Sequence, residues 1–181
     1  LYFLSRDILL VTILLILYLI ETNDFGPLIS KEQRNRVMRY IKQGISEGAT
    51  LVCGGNEINE KGFFIEPTIF TDVTGDMTIA KEEIFGPVLC IEKFSNEPLE
   101  SIAKRTNETT YGLSGSVWTN DMTTGHRMAA LIDSGQVSIN CHAAVDSAIP
   151  FGGNKQSGWG REFGEEGLDS YLKTKSTTVI Y

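Results

Sequence analysis

From residue 30 onward the apolar positions follow two rhythms, one of every third or fourth residue and one of short unbroken runs. In "SKEQRNRVMRYIKQGISEG", Ser30 and Gln33 stand at capping-box spacing, Val37, Ile41 and Ile45 recur every fourth residue, and Gly48 follows. That pattern predicts a helix opened by a hydroxyl cap, carrying one apolar stripe and closed by glycine. "ATLVCGG" reads as a short strand entering a Gly-Gly turn. "GFFIEPTIF" is β-prone, but Pro67 confines it to an edge or an irregular strand. "VLCIEKF" predicts a buried strand. "NEPLESIAKRTN" predicts a helix with Asn96 as cap, Pro98 in its first turn and Leu99, Ile102 and Ala103 on its apolar face. Then come a strand ("LSGSVWT"), a helix ending at Gly135 ("NDMTTGHRMAALIDSG") and another strand ("QVSIN"). Strands alternating with helices in this way predict an α/β fold, a mainly parallel sheet with flanking helices.

In such sheets ligands gather where loops leave the carboxyl ends of strands. The stretch after Asn140, "CHAAVDSAIPFGGNKQSGWGRE", is a long loop by this reading, and long loops inside compact domains are usually functional. The closing "KSTTVIY" alternates like an exposed strand, which invites pairing with another chain. The other end breaks the pattern. "ILLVTILLILYLI", residues 8–20, is an unbroken apolar run of thirteen residues, short of the roughly 20 that a bilayer span needs. It also lacks the small-residue cleavage site of a secretory signal. Residues 1–20 stand apart in character from everything that follows, so they are expected foremost to be misplaced or non-native sequence, next a buried helix or strand, and last a membrane segment.

Composition narrows the field. A chain of 181 residues, 41% hydrophobic and 22% charged, can build a sizeable core. A net charge of −7 argues against nucleic acid as the main partner. Cys53, Cys90 and Cys141 are scattered, with no CxxC pair, and His126 and His142 are the only histidines. Free thiols in a reducing cytoplasm and no metal centre follow from that usage.

Two stretches tempt with chemistry and fail on spacing. "GGNKQSGWG" is not a phosphate-binding loop, because Trp159-Gly160 stand where Lys-Ser/Thr would be needed; its glycines are expected to serve tight turns and close packing. Cys141-His142 are chain neighbours, and on an extended backbone they point to opposite faces. In "KEEIFGPVL", Glu82 and Glu83 directly precede an aromatic and Gly-Pro, which is ordinary punctuation between a helix and a strand.

The set "FGPLIS", "GFFIEPTIFTDV", "MTIAKEEIFGPVL", "TNETTYGLSGSVWT", "GQVSIN" and "PFGGNKQSGWGREFG", in that order, resembles the NAD(P)-dependent aldehyde dehydrogenase superfamily over residues 21–181, in its C-terminal portion only. "GSVWT", "GQVSIN" and Asn154 depart slightly from the common family spellings. The resemblance implies half of a catalytic domain at 21–172 and an oligomerisation strand at 173–181, with association through 175–181. It implies that Glu83 accepts hydrogen bonds from the nicotinamide-ribose hydroxyls of NAD or NADP and that Phe85 packs near the nicotinamide ring, leaving Glu82 as a structural or surface acid. It places Cys141, Ala143, Val145 and Phe151 along the aldehyde tunnel, although ordinary packing accounts equally well for Ala143. The substrate would be a small aldehyde, oxidised to a carboxylic acid.

The family's nucleophilic cysteine, general-base glutamate and Rossmann domain belong to motifs upstream of "FGPLIS", and none of these motifs occurs in this sequence. No catalytic residue is therefore assigned, and the chain alone is expected to be inactive. The alternative from a different class is a non-catalytic module for subunit interaction, or one tethered to a membrane by its apolar segment. Cytoplasmic residence without a membrane fits the remainder better.

Overall fold

Pro98 divides the chain into two compact units, Leu1–Pro98 and Leu99–Tyr181. The computed structural model describes residues 2–4, 26–58, 62–142 and 144–181; the apolar run 8–20 and Ala143 lie outside them.

The first unit contains, in order, β1 (Tyr2–Leu4), α1 (Lys31–Ser46), β2 (Thr50–Cys53), β3 (Glu57–Ile58), β4 (Phe64–Ile65), β5 (Thr68–Thr71), α2 (Thr78–Lys81) and β6 (Val88–Lys93). Ser30 caps α1 as expected, its hydroxyl accepting from the Gln33 amide at 3.1 Å, and Gly48 beyond the helix takes φ 99°. The buried stripe is Val37, Ile41 and Gly44, whereas Ile45 is 50% exposed. The reason is local: a Cβ on Gly44 would stand 2.8 Å from Ile79 Cδ1, so the bare glycine lets α2 approach there and Ile45 turns outward.

A four-stranded sheet runs β1-β6-β5-β2. β1 and β5 pair with β6 in parallel, and β2 closes the edge antiparallel to β5. The sheet is thus mixed, parallel at its centre. Pro67 was expected to make its segment an edge or an irregular strand, and it breaks the segment into β4 and β5. β5, starting just after the proline, is no edge but sits between β6 and β2, with its Thr68 amide donating to Pro87 O at 2.8 Å. Phe70, Ile41 and Val37 are fully buried with Ile65, Ile79, Ile84 and Cys90, while Ile69 and Ile91 pack on the opposite sheet face. Each such side chain removed from water contributes about 1.5–3 kcal/mol.

The second unit contains α3 (Leu99–Thr106), β7 (Tyr111–Gly112), β8 (Ser114–Val117), α4 (Met122–Leu131), β9 (Gln136–Ile139), β10 (Asn154–Lys155) and a 3-10 helix (Glu166–Tyr171). Asn96 does not cap α3: that helix begins at Leu99, after Pro98, and Pro98 precedes its first turn. α4 is capped by Asp121 and ends at Leu131, short of Gly135. What stops it is Asn107, whose side chain donates to Leu131 O at 2.8 Å and accepts from the Asp133 amide at 2.9 Å. β8 and β9 pair in parallel, and β7 pairs antiparallel with β10. Residues 173–181 form no strand in the single chain and are exposed throughout.

Among the described residues no helix is long and apolar enough to cross a membrane, and no group of three or more His, Cys, Asp or Glu could hold a metal ion.

Candidate functional site

In the first unit, α2 gives way at Glu82 to extended backbone, and β6 begins at Val88. The residues between form a corner anchored by Ile84, which is 7% exposed. The two neighbouring acids differ. Glu82 Oε2 accepts from the Tyr40 hydroxyl at 2.7 Å. Glu83 is exposed, and its carboxylate makes no hydrogen bond or ion pair among the described residues; only its backbone carbonyl is engaged, by Arg36 Nη2 at 2.9 Å. Phe85 follows with φ 59°, a left-handed conformation uncommon for an aromatic, and the residue is 71% exposed. Gln33 Nε2 donates to Phe85 O at 2.6 Å and, at a longer 3.5 Å, to Ile84 O. Gly86 completes the corner, since a Cβ there would fall 2.5 Å from Val37 Cγ2. Beside Phe85 lies an open, mainly apolar depression of about 420 Å³, lined by Pro27, Leu28, Ile29, Gln33, Phe85 and Gly86.

The sequence drew attention to Glu83 and Phe85 and missed their supports. Gln33, Arg36, Val37 and Tyr40 follow i, i+3, i+4 and i+7 spacing, so they share one side of α1. That spacing was visible, but Gln33 was read only as the capping-box partner of Ser30, and nothing singled out Arg36 or Tyr40.

In the second unit, Asn140 ends the β8–β9 ladder with φ 56°, which asparagine tolerates better than most residues. Its side chain prolongs the ladder, accepting from the Thr119 amide at 2.8 Å and donating to Thr119 O at 2.9 Å. The loop therefore leaves the carboxyl end of β9 in a fixed direction. Cys141 and Phe151 are half-buried there, and Val145 is 52% exposed. His142 Nδ1 lies 3.1 Å from Ser116 Oγ. Gln136 Nε2 ties the loop back by donating to Ala144 O at 3.0 Å, and Phe151 exchanges two backbone hydrogen bonds of 2.7 Å with Glu162. The glycines permit close backbone approach: a Cβ on Gly135 would meet Gly152 O at 1.8 Å, and one on Gly152 would meet Gly160 O at 2.2 Å.

A parallel strand entered through an acid–aromatic corner, and another left at its carboxyl end by a glycine-packed loop, place both features in an α/β fold of helices and partly parallel sheets. The chain belongs to the aldehyde dehydrogenase family, whose profile matches residues 18–177, from within the apolar run almost to the C-terminus. Aldehyde dehydrogenase 1A1 of Oryctolagus cuniculus is 48% identical over 154 residues, covering 85% of this chain and 31% of that protein. The mitochondrial 10-formyltetrahydrofolate dehydrogenase of Homo sapiens is 44% identical over 161 residues, 89% of this chain and 17% of its own length. The NAD+ complex of a Bacillus cereus aldehyde dehydrogenase superposes with a TM-score of 0.78 at 50% identity, covering 82% of this chain and 30% of that one. This chain thus spans less than a third of the length of these relatives.

A nicotinamide coenzyme presents ribose hydroxyl donors and a flat ring. The corner offers an unengaged carboxylate, an exposed aromatic and an apolar depression, and this chemistry fits.

Proposed function

We propose that this chain supplies the coenzyme-ribose contact and part of the aldehyde tunnel of an enzyme that oxidises aldehydes to carboxylic acids with NAD or NADP. The asymmetry at Glu82–Glu83 carries the reading: Tyr40 occupies one carboxylate, and the next is left open beside an exposed ring. When bound, the coenzyme would supply the hydride acceptor, and water would supply the second oxygen of the acid. Glu83 accepts from the ribose hydroxyls, Phe85 limits where the ring can sit, and Cys141, Ala143, Val145 and Phe151 line the tunnel. Such positioning matters because hydride transfer depends on alignment more than on proton chemistry.

The test uses a full-length relative carrying residues 26–181 of this chain. Glu83→Gln should slow single-turnover coenzyme reduction by on the order of 10² while leaving the melting temperature unchanged. Unchanged kinetics together with lost thermal stability would make Glu83 a structural acid and sink the reading.

No residue of this chain is assigned as nucleophile or general base. The 181 residues alone should therefore give no steady-state aldehyde oxidation with either coenzyme. Turnover abolished specifically by Cys141→Ser would instead make Cys141 the nucleophile. A second reading, association with another copy through residues 175–181, is favoured by the exposure of Val179, Ile180 and Tyr181. Three free cysteines suit a cytoplasmic setting.

A further inference from the structure

One side of α1 contacts the corner residue by residue: Tyr40 holds Glu82, Arg36 holds the Glu83 carbonyl, Gln33 holds the Ile84 and Phe85 carbonyls, and Val37 abuts Gly86. The hydrogen-bonded partners are 42 to 52 residues apart in sequence, so these contacts are tertiary. They fall on a segment that its own backbone hydrogen bonds hold poorly. The exposed carbonyls of Glu83 and Phe85 would otherwise bond to water, and the left-handed φ of Phe85 is a strain that the surroundings must offset. A cross-element side-chain donor can be lost without unfolding the core beneath it, because Val37, Ile41 and Ile84 remain buried.

We infer that Gln33 and Arg36 are positioning residues: they clamp the backbone on either side of Ile84 so that the Glu83 carboxylate and the Phe85 ring are fixed before coenzyme arrives. This rests on the coenzyme role proposed for Glu83 and Phe85. Neither residue touches the reacting atoms; both act through the carbonyls they hold. Arg36 is itself braced, its guanidinium lying 5.7 Å from the Tyr40 ring centroid.

The variant that separates clamp from helix is Gln33→Glu. A glutamate at this position completes the capping box with Ser30, so α1 keeps its start, but the two N–H donors are replaced by an acceptor facing carbonyls. Arg36→Met removes the other donor, and Arg36→Lys restores one. Hydrogen–deuterium exchange on the 181-residue chain, without coenzyme, should show at least tenfold faster exchange in peptides covering 82–89 for Gln33→Glu. Arg36→Met should give a smaller rise that Arg36→Lys reverses, with α1 and β5 peptides unchanged. No change at 82–89, or a rise shared equally with α1 and β5, would overturn the inference.

A second arm measures coenzyme reduction in the full-length chimera, where Gln33→Glu should slow single-turnover hydride transfer about tenfold. Slowing by Glu83→Gln but not by Gln33→Glu would overturn the clamp and leave the coenzyme reading standing. No effect of Glu83→Gln would remove the reading itself, and the positioning role with it.

Discussion

The corner at residues 82–86 and the loop after β9 are held by different means. In the first unit, side chains from α1 reach the corner, each bonding one or two groups or filling one gap. In the second, backbone meets backbone: Gly135 against Gly152, and Gly152 against Gly160. A side-chain clamp can be trimmed one group at a time, so its grip is adjustable. A contact between main chains has no intermediate setting, because neither partner can be shortened. The first arrangement suits a segment whose exact pose is tuned, and the second suits a loop that must simply keep its path.

The largest expected effect comes from testing that rigidity. Gly135→Ala puts a methyl 1.8 Å from the Gly152 carbonyl oxygen, where no rotamer change can help. It should destabilise the second unit by about 3 kcal/mol, the upper end of overpacking penalties. Both tryptophans, Trp118 and Trp159, belong to this unit, so their fluorescence in a urea titration reads it out. A midpoint unchanged from the parent chain would show that the main chains can part cheaply, and the contrast between the units would fail.

A smaller effect should appear at the corner, and it should be repairable. Gly86→Ala drives a methyl to 2.5 Å from Val37 Cγ2, at a cost of about 1–3 kcal/mol. Here the obstacle is itself a side chain. Val37→Ala opens a cavity and is destabilising alone, but in the double variant the added methyl enters the vacated space. The pair should therefore cost about 1 kcal/mol less than the sum of its parts. Cys90 supplies the reporter. Burial raises its thiol pKa to about 11, so alkylation at neutral pH follows opening of the first unit. Strict additivity would mean that Gly86 and Val37 do not share the contact.

The same contrast explains what could be read from the chain and what could not. Ser30, Gly48, the α1 stripe at Val37 and Ile41, and the strands after Gly48 and Gly135 were legible because they depend on neighbours in sequence. So was the role of the glycines around residue 153, since their spacing already implies close backbone approach. The supports of the corner were not. Gln33, Arg36 and Tyr40 look like the solvated side of a helix until β6 and α2 are folded against them. Pro67 marked the break in its segment but not the place of β5 inside the sheet: the ladder begins one residue after it, so the proline costs the sheet no hydrogen bond. Ile45 misled because the space it would fill is taken by Ile79 against Gly44. The final "KSTTVIY" has strand-like alternation but no ladder within one chain, since a strand needs an edge to pair with.

The smallest effect separates the units by acid. Glu47 joins the end of α1 to the start of α2: its carboxylate accepts from Gln43 Nε2 at 2.8 Å, from Thr78 Oγ1 at 2.6 Å and from the Thr78 amide at 2.8 Å. These bonds, Gln43 foremost and Thr78 next, hold its carboxyl below the usual glutamate range. A folded pKa lower than the unfolded one means that the contribution is complete above the ordinary carboxylate range. It is then lost as pH falls through that range to the folded value. Because α2 leads directly into Glu82, protonating Glu47 should loosen the first unit from its corner side. Asp121 gives the second unit a similar liability, as its carboxyl is lowered by the Thr124 hydroxyl and by the backbone amides of α4. Glu47→Gln should therefore make the acid dependence of the first unit shallower, leaving the share carried by Glu32, Asp72 and Asp76, and keep that of the second intact. Urea unfolding from pH 7 to pH 3 checks this, with tryptophan fluorescence for the second unit and a brief neutral-pH pulse of Cys90 alkylation for the first. If Glu47→Gln makes both curves shallower or neither, the carboxylate is not a private hinge of the first unit, and the division between the two regions does not extend to their electrostatics.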